Sequence, residues 1–263
     1  MKTYFGFLLL FSVMISCTSC SSDPSHLSTQ HDLLFQQSTI HTLLAGVYDG
    51  EISFDQLKKY GDFGIGTLDA LDGEMVAVDG MYFQIKADGK VYPVSDSLTT
   101  PFASVTFFET DQQLSILDTL DNSELYQWID QNLKSLNFPC AIQIRGHFSK
   151  VKARSVPKQA KPYMPLVQIV EDQPIFEFSD TQGIMIGFRL PDYLQDLNVP
   201  GYHFHFLTED RTRGGHVLDF TGLQGEIWID YTPSLQVVLS EQEAFYDLTL
   251  KEDRSEQLEK VEK

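Results

Sequence analysis

The chain has 263 residues, of which 42% are hydrophobic and 12% aromatic, a composition that can form one large core or two modest ones. Lys and Arg total 19 against 37 Asp and Glu, and the resulting net charge of −18 excludes nucleic acid and anionic lipid surfaces as the main partners. A site for an anionic substrate must therefore supply its own positive charge, from a bound metal or a placed arginine.

The amino terminus has the layout of a signal peptide. Lys2 precedes an apolar run at residues 4–15, which is too short for a transmembrane helix of about 20 residues. The residues ahead of Cys17 resemble a bacterial lipobox, with Cys20 as the alternative. We therefore expect residues 1–20 to be a lipoprotein-type leader and the product to be exported and held to a membrane through Cys17. A secreted soluble protein is the alternative.

The segment that follows the leader is polar and reads as a flexible tether at residues 21–30. Only Cys140 then remains in the mature body, so the sequence excludes an intramolecular disulfide and a cysteine-based zinc cluster there. Cys140 lies in an apolar stretch, which predicts a buried structural thiol.

The first half of the body predicts a short helix, an antiparallel meander and a longer helix. Ser53 is a suitable N-cap for the first helix, and Asp-Gly pairs favour tight hairpin turns within the meander. An apolar stripe at helical spacing marks the second helix. The predicted elements are a helix at 53–60, strands at 74–78, 81–86 and 90–93, and a helix at 123–136.

The second half is dominated by predicted strands. A turn is expected at Gly214-Gly215, and from residue 240 the charged tail becomes helical, or is a solvated end without a function. The predicted strands are 140–156, 184–190, 202–207, 217–220, 225–231 and 235–239. We therefore predict an α/β (α+β) fold with mixed and antiparallel sheets and few helices, divided into an amino-terminal sheet domain at 31–150 and a β-rich domain at 151–263.

Three histidines form a candidate metal site. Strand periodicity places His203 and His205 on one face, and the polar, glycine-ended segment after them delivers His216 on the neighbouring strand. Three neutral imidazoles are a familiar ligand set for catalytic zinc, since they leave positions for water or substrate. Alternatively, His203 and His205 are a structural pair on a strand and bind no metal.

Four separated segments resemble the bacterial α-acetolactate decarboxylases. They lie at residues 43–50, 64–74, 152–159 and 201–206, with His216 after the last of them. The similarity runs from about Leu43 to Val238. It implies a zinc enzyme that converts 2-acetolactate to (R)-acetoin and CO2, built as two α/β domains and assembled as a homodimer through the amino-terminal sheets.

The resemblance also implies the roles of the site residues. The metal falls on His203, His205 and His216, and the catalytic residues of the family's motifs fall on Glu74, Arg154 and Thr67. A further glutamate near the carboxyl terminus falls on Glu262, although Glu252, Glu256 and Glu259 compete for that place. The proton donor is left open between Glu74 and Arg154.

Local sequence alone favours plainer interpretations of these residues. Glu74 would be an exposed turn residue, Arg154 part of a solvated strand edge, and Thr67 a local backbone cap. Two other functions are also compatible with the sequence: decarboxylation of another hydroxy-keto acid, and a non-catalytic metal- or ligand-binding lipoprotein on the same scaffold.

Overall fold

The computed structural model describes Met1, residues 32–251 and residues 253–262. The predicted leader, the tether, Cys17 and Cys20 lie outside the described residues, and so does Glu252. Within the described ranges, no helix combines the length and the apolar character needed to cross a membrane.

The described residues fold mainly as strands with a few short helices, as predicted. In chain order the strands are β1 (Leu33–Gln37), β2 (Ile52–Ser53), β3 (Phe63–Thr67), β4 (Glu74–Val78), β5 (Met81–Ile85), β6 (Val91–Pro93), β7 (Thr99–Thr100), β8 (Ala103–Thr106), β9 (Gln112–Leu120), β10 (Cys140–Arg154), β11 (Ile175–Leu190), β12 (Gly201–Thr208), β13 (Gly214–Thr221), β14 (Leu223–Tyr231) and β15 (Ser234–Val238). The α-helices are α1 (Ile40–Leu44), α2 (Phe54–Leu57), α3 (Asn122–Asn132), α4 (Leu166–Ile169), α5 (Glu243–Tyr246) and α6 (Ser255–Glu262), and short 3-10 helices lie at Asp69–Leu71, Val170–Asp172 and Asp192–Leu194.

The first sheet has the strand order β15-β1-β8-β3-β4-β5-β6. All its pairings are antiparallel except that of β1 with β15. The predicted meander is confirmed as β4, β5 and β6 to within a residue at each end. Asp79 and Gly80 both have positive φ, as a tight hairpin between twisted strands requires.

The second sheet has the order β11-β12-β13-β10-β14-β9, and an additional pairing of β10 with β11 closes four of these strands into a ring. The long strand β10 makes this possible, because one half of it pairs with β14 and the other half with β13. Helix α3 packs its buried face, Leu125 and Ile129, against the apolar interior of this sheet. Cys140 begins β10 and is fully buried, as predicted.

The two sheets pack against each other through a shared apolar layer. Val76 and Ile85 of the first sheet and Ile186 and Leu207 of the second are each at most 2% exposed and belong to one core cluster. The candidate site lies where the ends of β4, β10, β12 and β13 meet at the edge of this layer.

Three sequence predictions require correction. Gly214 and Gly215 are not a turn but the first residues of β13, and the chain reverses before them, where Arg211 has positive φ. The boundary expected between residues 150 and 151 falls inside the continuous strand β10. The strand predicted at 235–239 forms β15, but it joins the first sheet beside β1 and not the second.

The predicted helices are present but shorter than expected. Ser53 caps α2 through a reciprocal pair of hydrogen bonds with Gln56, yet the helix ends at Leu57. The charged tail forms α5 and α6, and Leu258 and Val261 of α6 are buried. The tail is therefore not a solvated end.

Candidate active site

The three predicted histidines come together in the structure. His205 lies directly opposite His216 in the pairing of β12 with β13, and the ring centroids of His203, His205 and His216 are 4.8 to 5.4 Å apart. One ligand atom from each ring lies within 4.8 Å of the others. Phe204 and Phe206 point into the opposite apolar layer, as strand alternation predicts. This triad could hold a metal ion.

The protonation state of the triad suits a metal. Burial lowers the pKa of His203 to about 3 and the pKa values of His205 and His216 well below their usual value, aided by the nearby Arg154 charge. The imidazoles are therefore neutral at pH 7, which is the form that ligates metal ions. His205 Nδ1 lies 2.9 Å from the Met75 carbonyl oxygen, which leaves its Nε2 for the metal.

Glu74 and Arg154 face each other across the junction of the two sheets. Glu74 opens β4 and Arg154 ends β10, and Arg154 Nη1 donates to Glu74 Oε1 at 2.7 Å. Both side chains are about 5% exposed. The second carboxylate oxygen of Glu74 lies 3.6 Å from His205 Nε2. The ion pair therefore lies directly beside the histidine triad, and neither residue is at the surface that local sequence would favour.

Two polar atoms of this site have no hydrogen-bond partner among the described residues. They are His216 Nε2 and Arg154 Nε, and both are buried. Because buried donors and acceptors are nearly always paired, unpaired ones next to a cavity indicate a missing ligand. A metal ion would occupy the first, and an anionic oxygen would suit the second.

The last helix supplies one more carboxylate. Glu262 Oε2 is 3.6 Å from His203 Nε2 and 3.7 Å from His216 Nε2. Burial raises the pKa of Glu262 and that of Glu74 to about 7 each, against the opposing effect of Arg154. Of the tail glutamates considered from the sequence, Glu256 and Glu259 are exposed on the same helix.

Thr67 contributes through the backbone. Its hydroxyl donates to the Gly73 carbonyl oxygen at 2.7 Å, and Thr67 lies opposite Glu74 in the pairing of β3 with β4. This bond closes the turn from which Glu74 emerges. Thr67 also lines the cavity beside the ion pair.

Two cavities meet at the triad. A small cavity of about 40 Å³ is lined by all three histidines, Glu74, Arg154 and Glu262, together with an apolar wall. A wider cavity of about 860 Å³ shares His203, His216 and Glu262 with it and is also lined by Tyr126 and Tyr202. Residues of helix α6 line both cavities.

Sequence reasoning did not identify several groups that complete the site. Arg154 Nη2 donates to the Val261 carbonyl oxygen at 3.1 Å, and Met75 orients His205 through its carbonyl. Backbone acceptors carry no residue-type signal, so no sequence pattern could have found them. The apolar wall includes Ile40 and Phe102, and no sequence pattern distinguishes such apolar residues from those of the core.

The sequence and the fold both match known proteins. Residues 34–252 match the family described as alpha-acetolactate decarboxylase. The chain is 50% identical to the alpha-acetolactate decarboxylase of Methanosarcina mazei, over 88% of this chain and 81% of that protein, and 44% identical to that of Methylococcus capsulatus, over 87% and 88%. The crystal structure of alpha-acetolactate decarboxylase from Bacillus subtilis strain 168 matches with a TM-score of 0.85 and 37% identity, covering 88% of this chain and 99% of that one.

Proposed function

The chain belongs to the alpha-acetolactate decarboxylase family and is a carboxy-lyase, and we propose that it uses zinc to convert 2-acetolactate to (R)-acetoin and CO2. The observation that carries the zinc proposal is the buried triad of neutral imidazoles with the unpaired His216 Nε2. His203, His205 and His216 would hold the ion, and Glu262 lies close enough to two of them to complete the set.

Zinc would supply a Lewis acid that draws electron density from the oxygens of the substrate. Loss of CO2 leaves the bonding electrons on the carbon beside the ketone, as an enediolate. That carbon must then receive a proton on one face to give a single enantiomer of acetoin. The remaining steps fall to the side chains around the triad.

Arg154 is suited to orient the substrate carboxylate. Its Nη1 and Nη2 are held by Glu74 and Val261, which leaves Nε as a fixed donor for an anionic oxygen. Orientation by one donor is preferable to tight clamping, because strong stabilisation of the leaving carboxylate would raise the barrier to its loss.

Glu74 is suited to deliver the proton. Its pKa of about 7, raised by burial, keeps a large fraction of the carboxyl protonated near neutral pH. Arg154 holds Oε1, so the carboxyl has one orientation toward the cavity. We therefore assign general-acid catalysis to Glu74 and substrate orientation to Arg154.

The zinc proposal is tested by acetoin formation from racemic acetolactate with a leader-free protein. Activity should disappear on chelation and return with zinc, and chiral chromatography should show one enantiomer. Restoration by another divalent ion but not by zinc would overturn the choice of metal, because three histidines bind several divalent ions. A zinc-loaded protein that decarboxylates a different hydroxy-keto acid more efficiently would overturn the choice of substrate.

The leader and the assembly are further proposals. The lipobox-like residues support export with a lipid on Cys17, and mass spectrometry of the mature amino terminus distinguishes this from a cleaved, unlipidated product. A homodimer through the first sheet is supported by the position of β15 at the edge of that sheet. Within the described residues β15 pairs only with β1, so its other edge is available to a strand of a second copy. Light scattering of the purified protein tests it.

A further inference from the structure

The Glu74–Arg154 ion pair depends on how the two sheets are held together. Glu74 belongs to the first sheet and Arg154 to the second, so neither strand pairing fixes the distance between them. Besides the ion pair itself, two hydrogen bonds that involve side chains join the sheets next to Glu74, and backbone contacts between residues 89–91 and 212–214 also join them. One of the two side-chain bonds joins His205 Nδ1 to the Met75 carbonyl, and the other joins the Ser155 hydroxyl to the Ile85 carbonyl.

Ser155 links the two strands that carry the members of the ion pair. It directly follows Arg154 at the end of β10, is fully buried, and donates from Oγ to the Ile85 carbonyl oxygen at 2.8 Å. Ile85 in turn lies opposite Glu74 in the pairing of β4 with β5. The Ser155 hydroxyl therefore ties the backbone next to Arg154 to the strand position opposite Glu74.

The two hydrogen bonds fix the backbone on both sides of Glu74. Met75, its chain neighbour, accepts from a histidine of the triad, and Ile85, its strand partner, accepts from Ser155. The first bond belongs to a metal-ligand candidate and cannot be changed without changing the triad. The second involves a side chain that is not among the residues lining either cavity. Ser155 can thus be altered without removing any group that would touch the substrate.

We propose that Ser155 is a positioning residue for the decarboxylation, which holds Arg154 in register with Glu74 through the Ile85 carbonyl. The inference rests on the roles proposed above for Arg154 and Glu74. Without the hydroxyl, the Ile85 carbonyl loses a buried partner and the end of β10 can shift relative to β4. A misplacement of about 1 Å in an orienting group can cost about 100-fold in rate.

The test compares Ser155→Ala with Thr232→Val in the zinc-loaded, leader-free protein, measuring CO2 release from 2-acetolactate. Thr232 is equally buried, and its hydroxyl donates to the Pro139 carbonyl oxygen, outside the site. Each variant removes one buried hydroxyl that donates to a backbone carbonyl, so both should unfold at lower temperature than the wild type. Ser155→Ala should in addition lower kcat by about tenfold or more, with KM changed by less than about threefold.

A double-mutant cycle with Glu74→Gln supplies a readout that a purely structural role would not move. If Ser155 acts through the ion pair, Ser155→Ala should cost much less in the Glu74→Gln background than in the wild type. Ser155→Cys, which keeps a weak donor of similar shape, should give an intermediate kcat and serves if the alanine variant does not fold.

The outcomes separate the inference from the function on which it rests. A folded Ser155→Ala or Ser155→Cys variant with the kcat of the wild type overturns the positioning role, and so do fully additive effects in the cycle. Full activity of Glu74→Gln and Arg154→Lys would instead overturn the roles proposed for the ion pair, whatever the Ser155 variants show.

Discussion

The Val261 carbonyl oxygen accepts a hydrogen bond from Arg154 Nη2 at 3.1 Å, so the last helix of the chain contacts the guanidinium that we place on the substrate. The next residue, Glu262, reaches two of the three histidines. A helix with only two buried apolar residues thereby provides two groups of the site.

Glu262→Gln should weaken zinc binding by about 10- to 100-fold, since it removes the carboxylate that would complete the set and leaves the three histidines intact. Competition with a chromophoric chelator measures this affinity. Glu256→Gln, on the exposed face of the same helix, is the matched control and should bind zinc as the wild type does. Equal affinities for the two variants would contradict a role of Glu262 at the metal.

Arg154→Lys should lower kcat/KM by about 100-fold or more, because an ammonium group cannot hold Glu74 and Val261 and still present a third fixed donor. Steady-state CO2 release measures it. Arg145→Lys, on the same strand but in a partly exposed pair with Asp79, should keep nearly full activity. Comparable losses in both variants would indicate a general effect on β10.

His216→Ala should reduce zinc content from about one ion per chain to below about 0.1, since two remaining imidazoles are a poor site for the ion. Metal analysis after dialysis gives the number. His147→Ala is the control, because His147 is partly exposed on β10 and contacts Asp180 instead of the triad. Retention of zinc by His216→Ala would place the metal elsewhere.

The histidine triad could be predicted from local sequence because alternation along one strand already fixes the direction of His203 and His205. Glu74 could not. It follows a turn, and it is buried only because β4 packs against a sheet formed by residues far along the chain. The family resemblance, and no local pattern, identified it.

The glycines before His216 lie in a strand and not in the turn that the sequence predicts. A Cβ on Gly215 would lie 2.6 Å from the Arg154 carbonyl oxygen, and one on Gly214 would lie 2.1 Å from that of Phe206. These glycines therefore permit close approach of neighbouring strands. The sequence alone cannot distinguish this use of a glycine pair from a turn, because the strand β10 that contacts Gly215 is distant in the chain. The sheet that β15 joins could not be predicted for the same reason, since its partner β1 lies far from it in the sequence.

Asp230→Asn should stabilise the protein at pH 8 more than at pH 5. Burial, together with nearby carboxylates such as Asp111, raises the pKa of Asp230 from 3.8 to about 8 in the folded protein. The folded state therefore binds a proton that the unfolded state releases, so the contribution of this group to the free energy of unfolding is complete below about pH 4 and is lost as the pH rises toward 8. Glu74 and Glu262 shift in the same direction, but they are common to both proteins and cancel in the comparison.

Urea unfolding at a series of pH values measures the gap between Asp230→Asn and the wild type. The gap should widen from pH 5 to pH 8 and reach on the order of 2 kcal/mol, below the full value of the linkage because the amide loses part of the hydrogen bond from the Glu109 N–H. Asp118→Asn, at an exposed position of β9, is the control and should show no such widening. A gap for Asp230→Asn that is constant with pH, or that narrows toward pH 8, would mean that Asp230 is ionised in the folded protein throughout this range.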